Sequence, residues 1–436
     1  MNKMILQCGA LALSLLAVNV MAAVSPEEAN KLGTSLTPLG AEKAGNANGT
    51  IPAWTGGLPK NAAPVDSKGF LSDPFASEKP LFVITAANVD KYKDKLSEGQ
   101  VAMFKRYPET YKIPVYTTHR TVAVPPEIFE SAKRSALNTS TINDGNGLTG
   151  FTGERYYAFP IPKNGVEVLW NHITRYHGGN IKRIITQVTP QTNGSYTPIR
   201  FEEEISVPEL IKDLDADKAA NVLTFFKQSV TAPARLAWIY NAGQRRVRRA
   251  PQVAYDGPGT ASDGLRTSDN FDLFSGAPDR YDWKLVGKKE MYIPYNSYKL
   301  DSPSLKYDDI VKAGHINQDL TRYELHRVWE VIGTVKPSER HIYAKRHMYI
   351  DEDSWQAALV DHYDGRGQLW RVAEGHSEYV YDHQAQAYTL EALYDIIAGR
   401  YIALGMKNEE KHSYQFGFVA KAADFTPSAL RAEGVR

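Results

Sequence analysis

The sequence predicts an α+β protein organised on a strongly curved antiparallel β-sheet. Three observations carry this reading. Helical periodicity lies mainly before residue 236 and period-two alternation mainly after it, a segregation that marks α+β rather than alternating βαβ units. The strand-like runs beyond residue 320 follow one another through short turns, so neighbours in sequence pair as neighbours in space. The chain has 436 residues, 42% hydrophobic and 11% aromatic, and its 25 Tyr and 7 Trp favour strands over helices in a core of ample size.

Residues 1–22 read as a secretory signal peptide, with Lys3 as the positive start, an apolar run over 5–20, and Val20-Met21-Ala22 offering small residues for cleavage. Its removal takes one base and no acid, leaving 51 − 1 = 50 bases against 50 acids. A neutral mature chain gives no expectation of a nucleic-acid partner. Cys8 is the single cysteine and lies inside this peptide, too early for a lipidation site. The mature chain therefore has no disulfide, thiolate nucleophile or Cys-ligated metal. The expected compartment is the periplasm, in soluble and unlipidated form, with association with the outer membrane left open.

The elements follow in order. Ser25-Pro26-Glu27-Glu28 has the form of a capping box and starts a short helix. A Gly/Pro-rich stretch over 36–59 carries Ile51 and Trp54, which predicts an extended arm with Trp54 buried; residues 23–80 form helix plus arm, and 81–436 a single domain. Helices are expected at 88–107, 126–137, 165–177 and 217–230, and strands at 181–189 and 199–207. The central stretch 236–298 opens on a strand with Leu236, Trp238 and Tyr240 on one face. It turns at Asn241-Ala242-Gly243 and continues as a strand bearing Arg245, Arg246, Arg248 and Arg249. A loop over 256–270 separates this strand from two further strands at 283–286 and 290–294. Strands at 322–335, 341–351, 355–364 and 368–374 make the meander, with Asp364-Gly365-Arg366-Gly367 as a hairpin turn. Residues 390–404 have the length of a helix and, at Ala398-Gly399-Arg400, the signal of a hairpin; a short helix begins near Pro427.

The sequence shows no GxSxG elbow, P-loop, GxGxxG after a strand, or HExxH. His341 and His347 share a face of one expected strand but have no repeated carboxylate beside them, so they read as hydrogen-bonded strand residues and no metal is expected. Asp361, His362 and Asp364 cluster near a turn, and a Ser-His-Asp site there needs a serine from elsewhere. The arginine cluster can grip a carboxylate or phosphate, or pair with Asp269, Asp272 or Asp279. Trp238, Tyr240, Phe271, Phe274, Trp283, Tyr292 and Tyr295 are core residues, or the wall of a pocket left open on the concave side of a curved sheet.

Several longer strings carry a resemblance: LGAEKAGNANGTIPAWTGG (39–57), IPKNGVEVLWNH (161–172), WIYNAGQRRVRRAP (238–251), GTASDGLRTSDNFDLF (259–274), YDWKLVGKKEMYIPYNSYKL (281–300) and YIDEDSWQAALVDHYDGRGQLWRV (349–372). Together they resemble the DUF1329 family of exported Gram-negative proteins, itself similar to the lipoprotein-sorting proteins LolA and LolB. The resemblance implies a half-open β-barrel with helices covering the opening and an apolar cavity. It also implies a setting near outer-membrane proteins and export pumps. One departure stands out: PARLA (233–237) runs straight into WIYN, where the family has a longer stretch with an extra strand.

The function this implies is a non-catalytic periplasmic carrier for a lipid or other hydrophobic ligand, without a cofactor. Candidate ligand residues are Trp238, Tyr240, Phe271, Phe274, Trp283, Tyr292 and Tyr295, with Arg246 and Arg248 for an anionic head group. The alternative is an envelope scaffold that contacts an outer-membrane protein or export pump without a ligand.

Overall fold

The computed structural model describes residues 24–151, 156–206, 238–241, 246–249 and 255–434. The expected signal peptide and the helix expected at 217–230 lie outside the described residues. The strands in chain order are β1 (Phe82–Ile84), β2 (Ile113–Val115), β3 (Ser140–Ile142), β4 (Gly147–Thr149), β5 (Ile181–Val188), β6 (Ile199–Ile205), β7 (Trp238–Asn241) and β8 (Arg246–Arg249). They continue as β9 (Tyr281–Pro294), β10 (Tyr323–Val335), β11 (Lys345–Asp351), β12 (Ala357–Tyr363), β13 (Leu369–Val380), β14 (Ala385–Asp395), β15 (Arg400–Met406) and β16 (Gln415–Phe416).

Twelve of these strands form one sheet in the order β1-β2-β10-β11-β12-β13-β14-β15-β5-β16, with β9 added on β10 and β6 on β5. β3–β4 and β7–β8 are separate hairpins. Among the described residues the sheet does not close, and its pairings there are antiparallel apart from a parallel contact of Tyr323 with Val115. Register shifts at Glu330/Val331, Tyr349/Ile350, His362/Tyr363, His376/Ser377 and Leu404/Met406 spread bulges across five neighbouring strand pairs. Each bulge bends its strand and adds twist, which gives the sheet its curvature. The α+β class with a curved, open sheet is the one expected.

Both faces of the sheet are covered. In β14, Leu390, Ala392 and Tyr394 enter one apolar cluster while Leu393 enters the other; β15 alternates likewise through Tyr401, Ile402 and Ala403. Alternate residues of a strand point to opposite faces, so each cluster is one side of the same wall. Helix α1 (Pro26–Ala29) is closed by the expected capping box of Ser25 and Glu28. Among the described residues no helix is long and apolar enough to cross a membrane.

Several expectations are corrected. The helix expected at 88–107 is two 3₁₀ turns, Val89–Lys91 and Lys93–Lys95, followed by helix α2 (Glu98–Arg106). The reason is a second start signal: Ser97 and Gln100 form their own capping box. Helix α3 (Pro126–Asn138) matches its expected span, whereas α4 (Gly165–Ile173) stops four residues short of the expected 177. There the Thr174 hydroxyl donates to the Trp170 carbonyl at 2.7 Å. The two strands expected at 283–286 and 290–294 are one, β9, because Gly287 (φ +147°) lets Val286 bulge out and the strand continue through a polar run. Residues 390–404 resolve as the hairpin β14–β15. Trp54 is half-buried rather than buried, with its indole N–H donating to Val122 O at 2.9 Å.

Gly99 in α2 shows how closely the helix seats on the sheet. Its N–H donates to Asp361 Oδ2 at 2.9 Å, and a Cβ there would lie 2.1 Å from Asp361 Oδ1 and 2.7 Å from Val372. Gly99→Ala is therefore expected to destabilise the fold by about 1–3 kcal/mol through overpacking, although alanine is the better helix former by about 1 kcal/mol. Denaturant unfolding measures this; unchanged or raised stability contradicts it.

Candidate ligand-binding site

Helix α4 begins against β9. Asn164 caps it by accepting from Glu167 N at 3.0 Å, and only a glycine fits at 165, since a Cβ would meet Trp283 O at 2.7 Å. His172, fully buried, fixes the other end. Its Nδ1 accepts from Ala357 N at 3.1 Å, so Nε2 carries the proton and donates towards Asp272 O (3.0 Å) and Phe274 O (3.1 Å). Burial, then the Arg175 charge, lowers His172 to about 4, so the ring is neutral. This one side chain ties α4 to β12 and to the loop at 272–274, where Asp272 (φ +59°) and Leu273 (φ +55°) are held in left-handed conformations.

A pocket of 230 Å³ opens beside that junction. Ile173 and Thr174 at the end of α4 form one wall with Arg175 and His177. β5 contributes Ile181 and Arg183, β6 contributes Ile205, and the strained loop contributes Phe271 and Asp272. β14 contributes Gln386, Tyr388 and Glu391; its bulge between Tyr388 and Leu390 brings the last two, three residues apart, to the same side. Tyr156 and Tyr414 complete the apolar lining.

The polar groups in this pocket are few and mostly paired. Arg175, 2% exposed, donates to His172 O at 2.7 Å and forms an ion pair with Asp272, but its Nε has no partner. Burial tends to raise Asp272, and the Arg175 charge outweighs it, so the carboxyl lies below its ordinary range. Arg183 donates through Nε to Glu203 at 2.7 Å, and its guanidinium lies over the rings of Phe271 (5.5 Å) and Tyr414 (5.4 Å). Glu391 accepts from Leu273 N at 2.9 Å; burial, then nearby Asp272, pushes it up to about 7. Gln386 Oε1 is buried without a partner. The result is an apolar chamber with an arginine at its aromatic edge, lined in part by two residues, Arg175 and Gln386, that each hold one buried polar atom without a partner. Among the described residues no nucleophile paired to a base lines it. A larger groove of 570 Å³ lies at α2 and β11, but Lys93, Lys105, Lys289, Glu98 and Glu330 give it a charged rim of both signs.

A family model for proteins of unknown function, DUF1329, matches residues 83–237 and 235–431. The chain belongs to the DUF1329 family. The two matched segments of this DUF1329 chain meet at 235–237, where PARLA abuts WIYN. A relative from Pseudomonas aeruginosa, the uncharacterized protein PA3922, is 65% identical over 454 residues and covers 100% of this chain and 99% of its own length. Among solved structures, a domain provisionally assigned to outer membrane lipoprotein sorting from Vibrio parahaemolyticus is 14% identical, with a TM-score of 0.40 over 61% of this chain and 98% of that one. A DUF1329 family protein from Desulfovibrio piger is 12% identical, with a TM-score of 0.35 over 58% and 90%. A LolA superfamily protein from Nitrosomonas europaea is 10% identical, with a TM-score of 0.35 over 62% and 100%.

The residues singled out in the sequence are not gathered in one place. Phe271 lines the pocket of this DUF1329 protein. Phe274 and Trp283 meet edge-on at 5.4 Å in the core. Tyr292 packs with Phe82 and Tyr92 on the opposite side of the sheet. Tyr295 stacks on His326 at 3.9 Å. In the β7–β8 hairpin, Trp238 pairs with Arg249, Ile239 with Arg248 and Tyr240 with Val247; Arg246 is exposed, and the side chains of Trp238, Tyr240 and Arg248 lie outside the described residues.

Two of the acids expected to neutralise the arginine cluster have other partners: Asp272 pairs with Arg175, and Asp269 pairs with Arg346 at 2.7 Å. His341 precedes β11 rather than sharing a strand with His347, which bonds Glu330 at 2.7 Å. Asp361 and His362 are both fully buried; Asp361 accepts from Ser97 and Gly99, and His362 accepts from Asn270, so they form no triad.

The residues missed in the sequence are Arg175, Arg183, Tyr388, Glu391 and Tyr414. The one legible signal was Arg183, which interrupts the apolar face Ile181-Arg183-Ile185 of β5.

Proposed function

We propose that this DUF1329 protein is a non-catalytic periplasmic carrier for an amphipathic, acidic ligand, exported through the signal peptide read at residues 1–22. The observation that carries this is the apolar pocket with the Arg183 guanidinium at its aromatic edge, over Phe271 and Tyr414. Each methylene moved into such a pocket contributes about 0.8 kcal/mol. A volume of 230 Å³ is below the ~300–1,000 Å³ of drug-sized sites, so it holds the head and first part of a chain.

Dodecanoate and dodecanol are the probes, with calorimetry as the measurement. Wild type is expected to bind both, the acid more tightly. Arg183→Gln is expected to weaken dodecanoate about tenfold or more, the scale of a charge-assisted hydrogen bond, and dodecanol by less than about threefold. Equal losses overturn the head-group role, and no binding of either by the wild type overturns the carrier reading.

A second reading, an envelope scaffold for an outer-membrane protein or export pump, draws support from the filling of both sheet faces by the chain's own side chains. A detergent-resistant complex recovered with ligand-free protein supports that reading.

A further inference from the structure

The geometry points to a structural binding site for a divalent metal ion of the zinc class, formed by His326, Asp351 and Asp353 beneath the N-terminal arm. One ligand atom from each of the three lies within 4.8 Å of the other two, and all three residues are buried. His326 comes from β10, and the two aspartates come from the end of β11 and the turn that follows, where Trp355 takes a left-handed conformation (φ +61°).

The histidine is set up as a ligand. Its Nε2 lies 3.1 Å from Glu324 Oε2, so that nitrogen carries the proton and Nδ1 presents its lone pair. A carboxylate behind the distal ring nitrogen is the usual support of a metal-bound histidine. Tyr295 stacks on the same ring and fixes its plane.

That lone pair faces Asp351 Oδ1 at 4.0 Å, which is too long for a hydrogen bond. Asp351 is 2% exposed, and Oδ1 has no partner. Oδ2, by contrast, receives Ser354 N (2.9 Å), Ser354 Oγ (2.6 Å) and Tyr295 OH (3.3 Å). Two acceptors thus face each other in the interior with no donor between them.

The charge balance points the same way. Asp353 is gripped by Arg120 at 2.7 and 2.9 Å. Glu352 meets Lys288 (2.9 Å) and Arg327 (3.2 Å), and Glu324 meets Arg322 (2.6 Å). Among the described residues, Asp351 alone of these four acids has no Lys or Arg partner within an ion-pair distance. A buried carboxylate with no cation beside it is disfavoured; a cation between Oδ1 and Nδ1 removes that cost. One imidazole nitrogen and two carboxylates suit zinc, whose bonds to N and O are about 2.0–2.2 Å. Asp353 retains free lone pairs beside its contacts with Arg120.

The arm covers this place. Arg120 also donates to Lys43 O and Pro52 O at 3.4 Å, and Glu42 N donates to Glu352 at 3.4 Å. The ion would therefore fasten the arm to the sheet and exchange slowly.

The test is made on the untagged mature chain refolded with or without zinc sulfate, followed by elemental analysis and thermal unfolding. The expected result is about one zinc per chain and a melting temperature that rises with zinc; Asp351→Asn is expected to retain less than about a tenth of that zinc and to melt independently of it. Wild type that folds free of zinc with an unchanged melting temperature overturns the proposal, as does Asp351→Asn that holds as much zinc as wild type. If Asp351→Asn fails to fold, the zinc content and zinc dependence of wild type decide alone.

Discussion

Replacing Lys407 with methionine is expected to lower the free energy of unfolding by about 3–5 kcal/mol, the scale for removing one partner of a buried ion pair. The lysine is fully buried, forms an ion pair with Asp301, lies 3.4 Å from Glu378 Oε1, and sits over the Tyr414 ring at 4.4 Å. Burial tends to lower its pKa, and Asp301, then Glu378, outweigh this, so the ammonium stays charged. Glu378 is pushed up to about 8 by burial first and then by Asp301, so it is neutral at pH 7. Lys407 pairs directly with Asp301, and Thr389 Oγ1 donates to the same Asp301 oxygen at 2.8 Å. Taking away the ammonium strands that aspartate. The double variant Lys407→Met/Asp301→Asn is expected to recover part of the loss, because the two changes share one interaction. Urea unfolding measures both, and a single-variant loss below about 1 kcal/mol contradicts the account.

Stability is expected to fall by about 2–4 kcal/mol between about pH 6.5 and pH 8.5, the reverse of the trend set by salt-bridged carboxylates. Asp361, Glu374 and Glu391 are raised to about 7 and Glu378 to about 8, in each case first by burial. A carboxyl with a raised folded pKa keeps its proton in the native state after the unfolded chain has lost it. The native state therefore loses relative stability as pH rises from about 4.5 to the folded value.

Histidines oppose this at lower pH. His172 is lowered to about 4, and His177 and His376 to about 3, mainly by burial. They stay neutral in the fold while the unfolded chain takes up protons below about pH 6.5, so their contribution is lost on acidification through that range. Above about pH 7.5 these histidines are neutral in both states, and the raised carboxyls set the slope. Glu378→Gln and Glu391→Gln, which mimic the protonated acids, are expected to flatten the slope; urea midpoints that are level or rise towards pH 8.5 contradict the assignment.

The class of the fold was legible because its signals are local. Alternation in 322–335, the Asp364-Gly365-Arg366-Gly367 turn and the Ser25 box each depend on residues close in sequence. The bulges were not legible, since they arise from register against a partner strand. That is why β9 read as two strands and why Tyr388 and Glu391 gave no sign of sharing a side. The pocket was least legible, as its walls come from α4, β5, β6, β14 and two loops. The arginines at 245–249 are conspicuous by number in the sequence, yet Asp272 pairs with an arginine 97 residues away in the chain and Asp269 with one 77 residues away. His326 and Asp351, 25 positions apart, likewise met no motif spacing, so no metal was expected from the sequence.

The most direct test of the carrier account is native mass spectrometry of the protein purified from its native cells without detergent, repeated after organic extraction. The expected result is a reproducible excess mass that extraction removes and that behaves as an acidic amphiphile, absent or much reduced in Arg183→Gln. A bare polypeptide mass in every preparation of the wild type would contradict it and leave the scaffold reading in its place.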